Sequence, residues 1–194
     1  MINLNNYLHE SILDNEDVVM ASTEKDIIRQ NIWDELVKYE IINPLIHSIS
    51  ILDVDNKGRV ILTPKQYLEL NFSFWRWMPD YIKKHGLLFG KKTDIIINQY
   101  SGKVSDLNII DLKGGDMLFK YSNIKLDKLP NNVKNLTFEF SSIQDLMTPL
   151  KKLNVKSISV DNDFMESIAG LWVKKITGKL PEVDTGYGRT TFLL

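Results

Sequence analysis

Apolar and polar residues alternate at two different periods along this chain, and the change of period marks out its parts. Between residues 23 and 42 the apolar positions Ile28, Ile32, Leu36 and Tyr39 recur every three or four residues, with Trp33 and Val37 beside them. That spacing forms one stripe of an α-helix. Ser22 or Thr23 stands where a cap belongs, Glu24 and Asp26 fall in the first turn, where the helix dipole favours acids, and Pro44 closes the segment. The stripe predicts a helix lying on the first strand of a sheet. Further on the period shortens to two. Residues 49–54 and 59–62 flank Asp55-Asn56-Lys57-Gly58, and Gly58 supplies the positive φ that a tight hairpin needs. Asp94-Ile95-Ile96-Ile97-Asn98 reads as a buried strand, and Gly114-Gly115 as a turn before Met117-Leu118-Phe119.

The period of two belongs to a phrase that repeats. Val133-Lys134-Asn135-Leu136-Thr137 is followed by Val155-Lys156-Ser157-Ile158-Ser159 and then by Val173-Lys174-Lys175-Ile176-Thr177, with starts 22 and then 18 residues apart. Val104-Ser105-Asp106-Leu107-Asn108-Ile109, 29 residues before Val133, reads as an earlier relative. An interval near this length is the signature of stacked units, each too small to bury its apolar face alone. Val133, Leu136 and Phe138 fit the apolar frame L-x-x-L-x-L, as do Val155, Ile158 and Val160, and Val104, Leu107 and Ile109. The frame fails at Gly178, and Ser141 and Asp163 stand where its usual Asn would be. The phrases therefore resemble degenerate leucine-rich repeats; the alternative is an ordinary antiparallel sheet whose strands share a pattern. A short helix over residues 164–172 falls between the last two phrases.

The expected fold class is α+β: an N-terminal helix and β-hairpin followed by a short, irregular leucine-rich-repeat-like stacked sheet. Residues 1–22 read as a separate mobile leader. Residues 23–194 read as one globular domain, divided into helix and hairpin (23–63), an aromatic connector (64–92) and the repeat-like sheet (93–194). After Pro181 the chain ends in a Gly-rich and then apolar run that suits an added edge strand or a contact with a neighbouring subunit.

Composition narrows the chemistry. A net charge of -1 gives no global field toward nucleic acid or membrane. The absence of Cys excludes disulfides, thiol nucleophiles and cysteine zinc sites. The apolar runs are too short to span a bilayer, and no basic segment precedes an apolar core, so neither a membrane partner nor a secretory signal is expected. His9, His47 and His85 stand far apart, and no metal or other cofactor is expected. A calcium loop at Asp53-Val54-Asp55 fails on Lys57 at its fifth position and Pro64 at its twelfth. In Gly86–Thr93 the glycines stand one residue too close for a phosphate loop, and Lys92 displaces its hydroxyl residue. No Ser sits in a Gly-x-Ser-x-Gly turn. No catalytic residue is marked out, so the chain reads as a binding protein before an enzyme.

The aromatic segment is the candidate for binding. Residues 64–84 hold Tyr67, Phe72, Phe74, Trp75, Trp77 and Tyr81. Trp75-Arg76-Trp77 is able to stack on bases, but it lacks the surrounding Lys and Arg that would follow a phosphate backbone, which argues against nucleic acid. The aromatics are either a core plug or a protein-binding patch, and Phe74, Trp75 and Trp77 are the candidate contact residues.

The leader carries a resemblance. Between Glu10 and Asp26 six acidic residues stand against one Lys, and Leu4, Leu8 and Ile12 lie at four-residue spacing. Residues 1–10, followed by Ser11, resemble the capsid-targeting peptides on internal head proteins of large tailed phages. Those end in an aliphatic residue, any residue, then Glu, and are cut before a small residue; Leu8-His9-Glu10-Ser11 fits that rule. The resemblance implies that Leu8 and Glu10 are recognised by a maturation protease and that Glu10–Ser11 is the bond cut. The wider layout resembles a group of tailed-phage proteins in which an acidic run, here Ser11-Ile12-Leu13-Asp14-Asn15-Glu16-Asp17, precedes a helix, a hairpin and leucine-rich-like repeats. It implies a phage protein-interaction module, located in the virion or the host cytoplasm during infection, with protein partners from the phage head or the host. The alternatives are a permanent structural virion protein and an enzyme whose site is assembled only in space.

Overall fold

Alternation in this chain has one structural outcome, a set of short strands that pair side by side and in register. The computed structural model describes residues 22–144, 155–161, 170–171, 174, 182–186 and 188–194. In chain order the main elements are α1 (Ser22–Lys38), β1 (Leu52–Val54), β2 (Val60–Leu62), β3 (Tyr67–Asn71), α2 (Asp80–His85), β4 (Leu87–Phe89), β5 (Asp94–Asn98), β6 (Ser101–Lys103), β7 (Ile109–Asp111), β8 (Met117–Lys120), β9 (Asn123–Lys125), β10 (Asn135–Glu139), β11 (Ser142–Gln144), β12 (Ser157–Val160), β13 (Glu182–Gly186) and β14 (Arg189–Leu193). The fold is mixed α and β, with a seven-stranded sheet ordered β13-β14-β12-β10-β8-β5-β3, a four-stranded sheet β1-β2-β4-β7 and a three-stranded sheet β11-β9-β6. The chain visits the sheets in a fixed sequence: β4 to β5 to β6, then β7 to β8 to β9, then β10 to β11. Strands from successive coils pair in parallel in all three sheets.

The inward columns are apolar. Leu68, Ile95, Met117, Leu136 and Ile158 follow one another across the seven-stranded sheet, and Leu70, Ile97, Phe119, Phe138 and Val160 form the next column. All ten are buried, and the rings of Phe119 and Phe138 stack 5.7 Å apart. The phrases beginning at Val133 and Val155 are neighbours in this sheet, with Leu136 opposite Ile158 and Phe138 opposite Val160. The phrase beginning at Val104 is not their equivalent. Its first four residues form a 3-10 turn, and Ile109 starts β7 in the four-stranded sheet. The true coil intervals, read from paired residues such as Leu68 with Ile95, Ile95 with Met117 and Met117 with Leu136, are 27, 22 and 19 residues, so a spacing of 29 falls outside the stack. Of the phrase beginning at Val173 only Lys174 is among the described residues, and Asp163 and the helix expected over 164–172 likewise lie outside them apart from Gly170 and Leu171.

The stack also starts earlier than residue 93. β3 lies inside the segment read as an aromatic connector and pairs along its whole length with β5, while β4 joins the four-stranded sheet. Tyr67-Leu68-Glu69-Leu70-Asn71 does alternate, but the flanking aromatics hide its period. At the other end β14 pairs antiparallel with β12, and β13 folds back on it as the outermost strand.

At the N-terminal end α1 packs on β1, burying Ile32 and Leu36. The helix stops at Lys38, well before Pro44. Glu40 takes φ +54, Ile41 N–H bonds to Leu36 O at 2.9 Å and Glu40 N–H to Val37 O at 3.0 Å. This pair of bonds closes the helix in a Schellman motif, with Ile41 and Leu36 both buried beneath it. The hairpin β1–β2 pairs antiparallel, Leu52 with Leu62, while residues 49–51 form a 3-10 turn ahead of it. Asp55 organises the turn. One carboxylate oxygen accepts the Lys57 and Arg59 backbone N–H groups at 2.9 and 2.8 Å, the other accepts Arg59 Nε at 2.7 Å, and Gly58 has φ +74. Those donors occupy the carboxylate that a calcium loop would have needed.

Corners repeat as the strands do. Gln99, Tyr121 and Phe140 all have positive φ directly after β5, β8 and β10. Behind them the buried hydroxyls of Ser122 and Ser141 donate to strand carbonyls: Ser122 Oγ to Lys120 O at 2.9 Å and Ser141 Oγ to Glu139 O at 2.7 Å. Each also accepts a backbone N–H from the preceding coil, Tyr100 N–H to Ser122 Oγ and Ser122 N–H to Ser141 Oγ. Ser141 thus satisfies buried backbone groups of two successive coils.

Among the described glycines, Gly115 makes the closest approach to a neighbouring coil. A Cβ there would lie 1.8 Å from the carbonyl oxygen of Thr93 in the coil before, whereas at Gly114, with φ +85, it would meet nothing within 4 Å. Gly115→Ala is expected to destabilise the fold by roughly 2–4 kcal/mol through forced separation of two coils, against about 1–2 kcal/mol for the backbone strain of Gly114→Ala. Equilibrium urea denaturation of the two variants checks this; equal losses would show that steric contact at Gly115 does not control the spacing.

Candidate binding surface

The first coil departs from the others, and the departure builds a surface. Where the second and third coils place β6 and β9 after their seven-stranded-sheet strands, the first places residues 72–86, ending in α2. Asn71 turns the chain out of β3, its Oδ1 accepting the Ser73 N–H at 3.0 Å and the Ser73 hydroxyl. Phe72 then goes inward, edge-on to Tyr100 with ring centroids 5.0 Å apart, and Met78 and Ile82 fill the core below. The residues between them cannot also fit inside. Phe74 is 75% exposed and Trp77 45% exposed.

The three residues singled out by sequence are therefore adjacent but differently employed. Trp75 is half-buried and stacks on Tyr39 of the segment after α1, with centroids 4.0 Å apart and an interplanar angle of 15°. Its other neighbour is Trp77, edge-on at 5.1 Å. Trp75 is thus a structural support, while Phe74 and Trp77 face solvent. The Lys83 ammonium lies 5.4 Å from the centre of the Trp77 ring and 3.5 Å from Asp80 Oδ1.

Replacing a strand by a helix also leaves a gap against the second coil. Asn108, itself at φ +45, donates its side-chain amide to Ile82 O at 3.2 Å and Lys83 O at 2.8 Å, so the second coil caps the C-terminal end of α2. Above this tether opens a cleft of about 720 Å³. The first coil lends it Arg76, Trp77 and Lys83, and the second Tyr100, Ser101 and Asp106.

The lining from the second coil is held by its own bonds. Tyr100 donates its hydroxyl to Lys103 O at 2.8 Å. Burial, with the charges of Asp106 and Asp127 adding to it, pushes the phenol well above its ordinary pKa, so it stays a donor at every pH near neutral. Ser105 donates its N–H and hydroxyl to the two carboxylate oxygens of Asp127 at 3.0 and 2.5 Å. Burial alone would raise the Asp127 pKa, but those two bonds and the backbone N–H groups of Asp127 and Lys128 outweigh it and hold it below the usual range. Asp55 and Asp111 are depressed by the same balance, with burial opposed by donors from Arg59 and Lys57 in one and from Lys113 and Asn132 in the other.

Two surfaces escaped the sequence reading. Leu45 and Ile46, 94% and 59% exposed, border a hollow of about 430 Å³ beside Tyr67. Tyr121 and Phe140 form an exposed stack, 5.3 Å between centroids and 9° between planes, at the corners after β8 and β10. Their signal was the shared place after the strand frame. Leu8, Glu10 and Ser11 lie outside the described residues. His85 stacks on Tyr81 and His47 borders the smaller hollow; among the described residues no group of three or more His, Asp and Glu is arranged to hold a metal. No helix among the described residues is long and apolar enough to cross a membrane. No family model, curated protein or solved structure matches the chain.

Two outcomes follow from this geometry. Trp75→Ala is expected to destabilise the fold by roughly 2 kcal/mol through loss of the stack and its burial, and Phe74→Ala by no more than about 0.5 kcal/mol, as read by chemical denaturation. Asp127, Asp55 and Asp111 have depressed folded pKa values, so the stability they contribute is complete above the unfolded carboxylate pKa and is lost as pH falls through the folded values. The melting temperature is expected to fall steeply below about pH 4. Asp127→Asn is expected to lower the plateau near neutrality and flatten that fall; an unchanged acid slope would mean that Asp127 contributes none of it.

Proposed function

We propose that this chain is a protein-interaction module of a tailed phage, built on a short leucine-rich-repeat-like stack. The observation that carries the proposal is the exposure of Phe74 and Trp77, the latter lining the cleft, on the segment that replaces a strand in the first coil. Large aromatic side chains left in water lower solubility and favour association, and they supply contact area with few torsions to freeze, which is why they dominate protein interfaces. A neighbouring ring and a tethered helix hold Trp77 in place, so little order has to be gained on binding.

The phage assignment rests on Leu8-His9-Glu10-Ser11. On this reading the leader directs the chain into the head, the maturation protease cuts between Glu10 and Ser11, and the remainder meets a protein of the head or of the infected host, including its defences. Mass spectrometry of the protein from purified particles is expected to find Ser11 at its N-terminus. An intact Met1 in particles would replace this reading by a permanent structural role, and absence from particles would remove the phage-head assignment altogether.

A further inference from the structure

The charges around Trp77 say which kind of segment fits beside it. Arg76 and Lys83 line the cleft together with the indole. Arg76 is exposed and makes no hydrogen bond or ion pair with any described residue. Lys83 has one carboxylate near it, Asp80, whose side chain is 95% exposed and 3.5 Å away, and a solvated pair of that kind leaves the ammonium available. Asp106, exposed as well, lines the cleft from the second coil, as do Ser101 and Tyr100. The cleft is thus cationic where the first coil lines it, beside the indole, and anionic where the second does.

We infer that the cleft receives an acidic segment of a partner protein, with a carboxylate set against Arg76 and Lys83 and an aromatic or aliphatic side chain laid on Trp77. This rests on the reading of Phe74 and Trp77 as a protein-binding surface and adds its electrostatic specificity. Arg76 supplies a planar fork of donors that matches a carboxylate, and Lys83 a point charge 5.4 Å from the centre of the indole. Asp106 enforces direction, because a carboxylate placed against it is repelled, whereas a hydroxyl, amide or ammonium is accepted. A basic segment would meet the reverse pattern: repulsion beside Trp77, where its apolar anchor has to sit.

The test uses the full chain and three fluorescent peptides that differ only in the residues flanking a central Phe, which are Glu, Gln or Lys. Fluorescence anisotropy is expected to rank them Glu, then Gln, then Lys, with about tenfold or more between the ends of the series. Arg76→Glu is expected to weaken the Glu peptide by about tenfold with an unchanged melting temperature because the side chain is at the surface, Lys83→Gln to weaken it several-fold, and Asp106→Asn to tighten it. The preference is expected to shrink as salt rises from about 50 to about 300 mM. If all three peptides bind alike and Trp77→Ala abolishes them all, the charge assignment is overturned and the protein-binding surface stands. If none binds, the inference and the assignment of that surface fall together.

Discussion

The constraint on which the rest depends is the register between coils. Five parallel strands present two inward side chains each, and pairing at the backbone puts every one of them directly beside its counterpart in the next coil. A strand period of two allows no intermediate slip. Moving β10 by one residue would turn Leu136 and Phe138 to solvent and bring Thr137 inside, losing roughly 1.5–3 kcal/mol for each large apolar side chain exposed. Backbone pairing and core packing therefore specify the same alignment. On the open face the polar residues agree with it too: Asn135 bridges Asp116 and Ser157 at 2.8 and 2.9 Å, and Ser159 meets Thr191 at 2.9 Å.

Fixing the register fixes the corners. A coil that must re-enter the next strand in line has little choice of path, and the chain accepts positive φ at Gln99, Tyr121 and Phe140, where Gly or Asn would be less strained. The two aromatic examples stack on each other in solvent, so the strain is offset by contact between successive corners. Buried backbone groups at the bends are satisfied by Ser122 and Ser141, whose hydroxyls each accept from the coil before and donate within their own. Gly115 marks the place where coils come too close for any side chain.

Legibility in the sequence followed the length of the periodic signal. The helical stripe, the hairpin at Gly58 and the two phrases that became β10 and β12 each span enough alternating residues to declare themselves. β3 and β4 did not, because five and three residues among aromatics and lysines carry too little period. The phrase at Val104 misled for the opposite reason: its apolar spacing matched the frame, but Val104 and Leu107 reach the core from a 3-10 turn, where residues three apart also share a side. Helix α1 stopped early because Glu40 accepted a positive φ that sequence alone reserves for Gly or Asn. Of the candidate surface, composition exposed the cluster and left its division unresolved. Trp75 is half-buried because Tyr39, more than thirty residues away, claims its ring, and Trp77 is less exposed than Phe74 because Trp75 and Lys83 flank it.

The binding surface lies where the coils stop repeating, and this has a physical reason. A strand of the third sheet would pair with β6 and leave a flat, satisfied wall. The helix in its place has its last carbonyls capped by Asn108 and its apolar side sealed by Ile82, so it needs nothing further from the second coil, and the gap beside it persists. Exposed aromatics and an exposed guanidinium are tolerated there because the fold gains its stability elsewhere, in columns that the first coil shares through Leu68 and Leu70. Regular coils supply the rigidity, and the irregular one is left free to carry side chains that packing would otherwise have excluded.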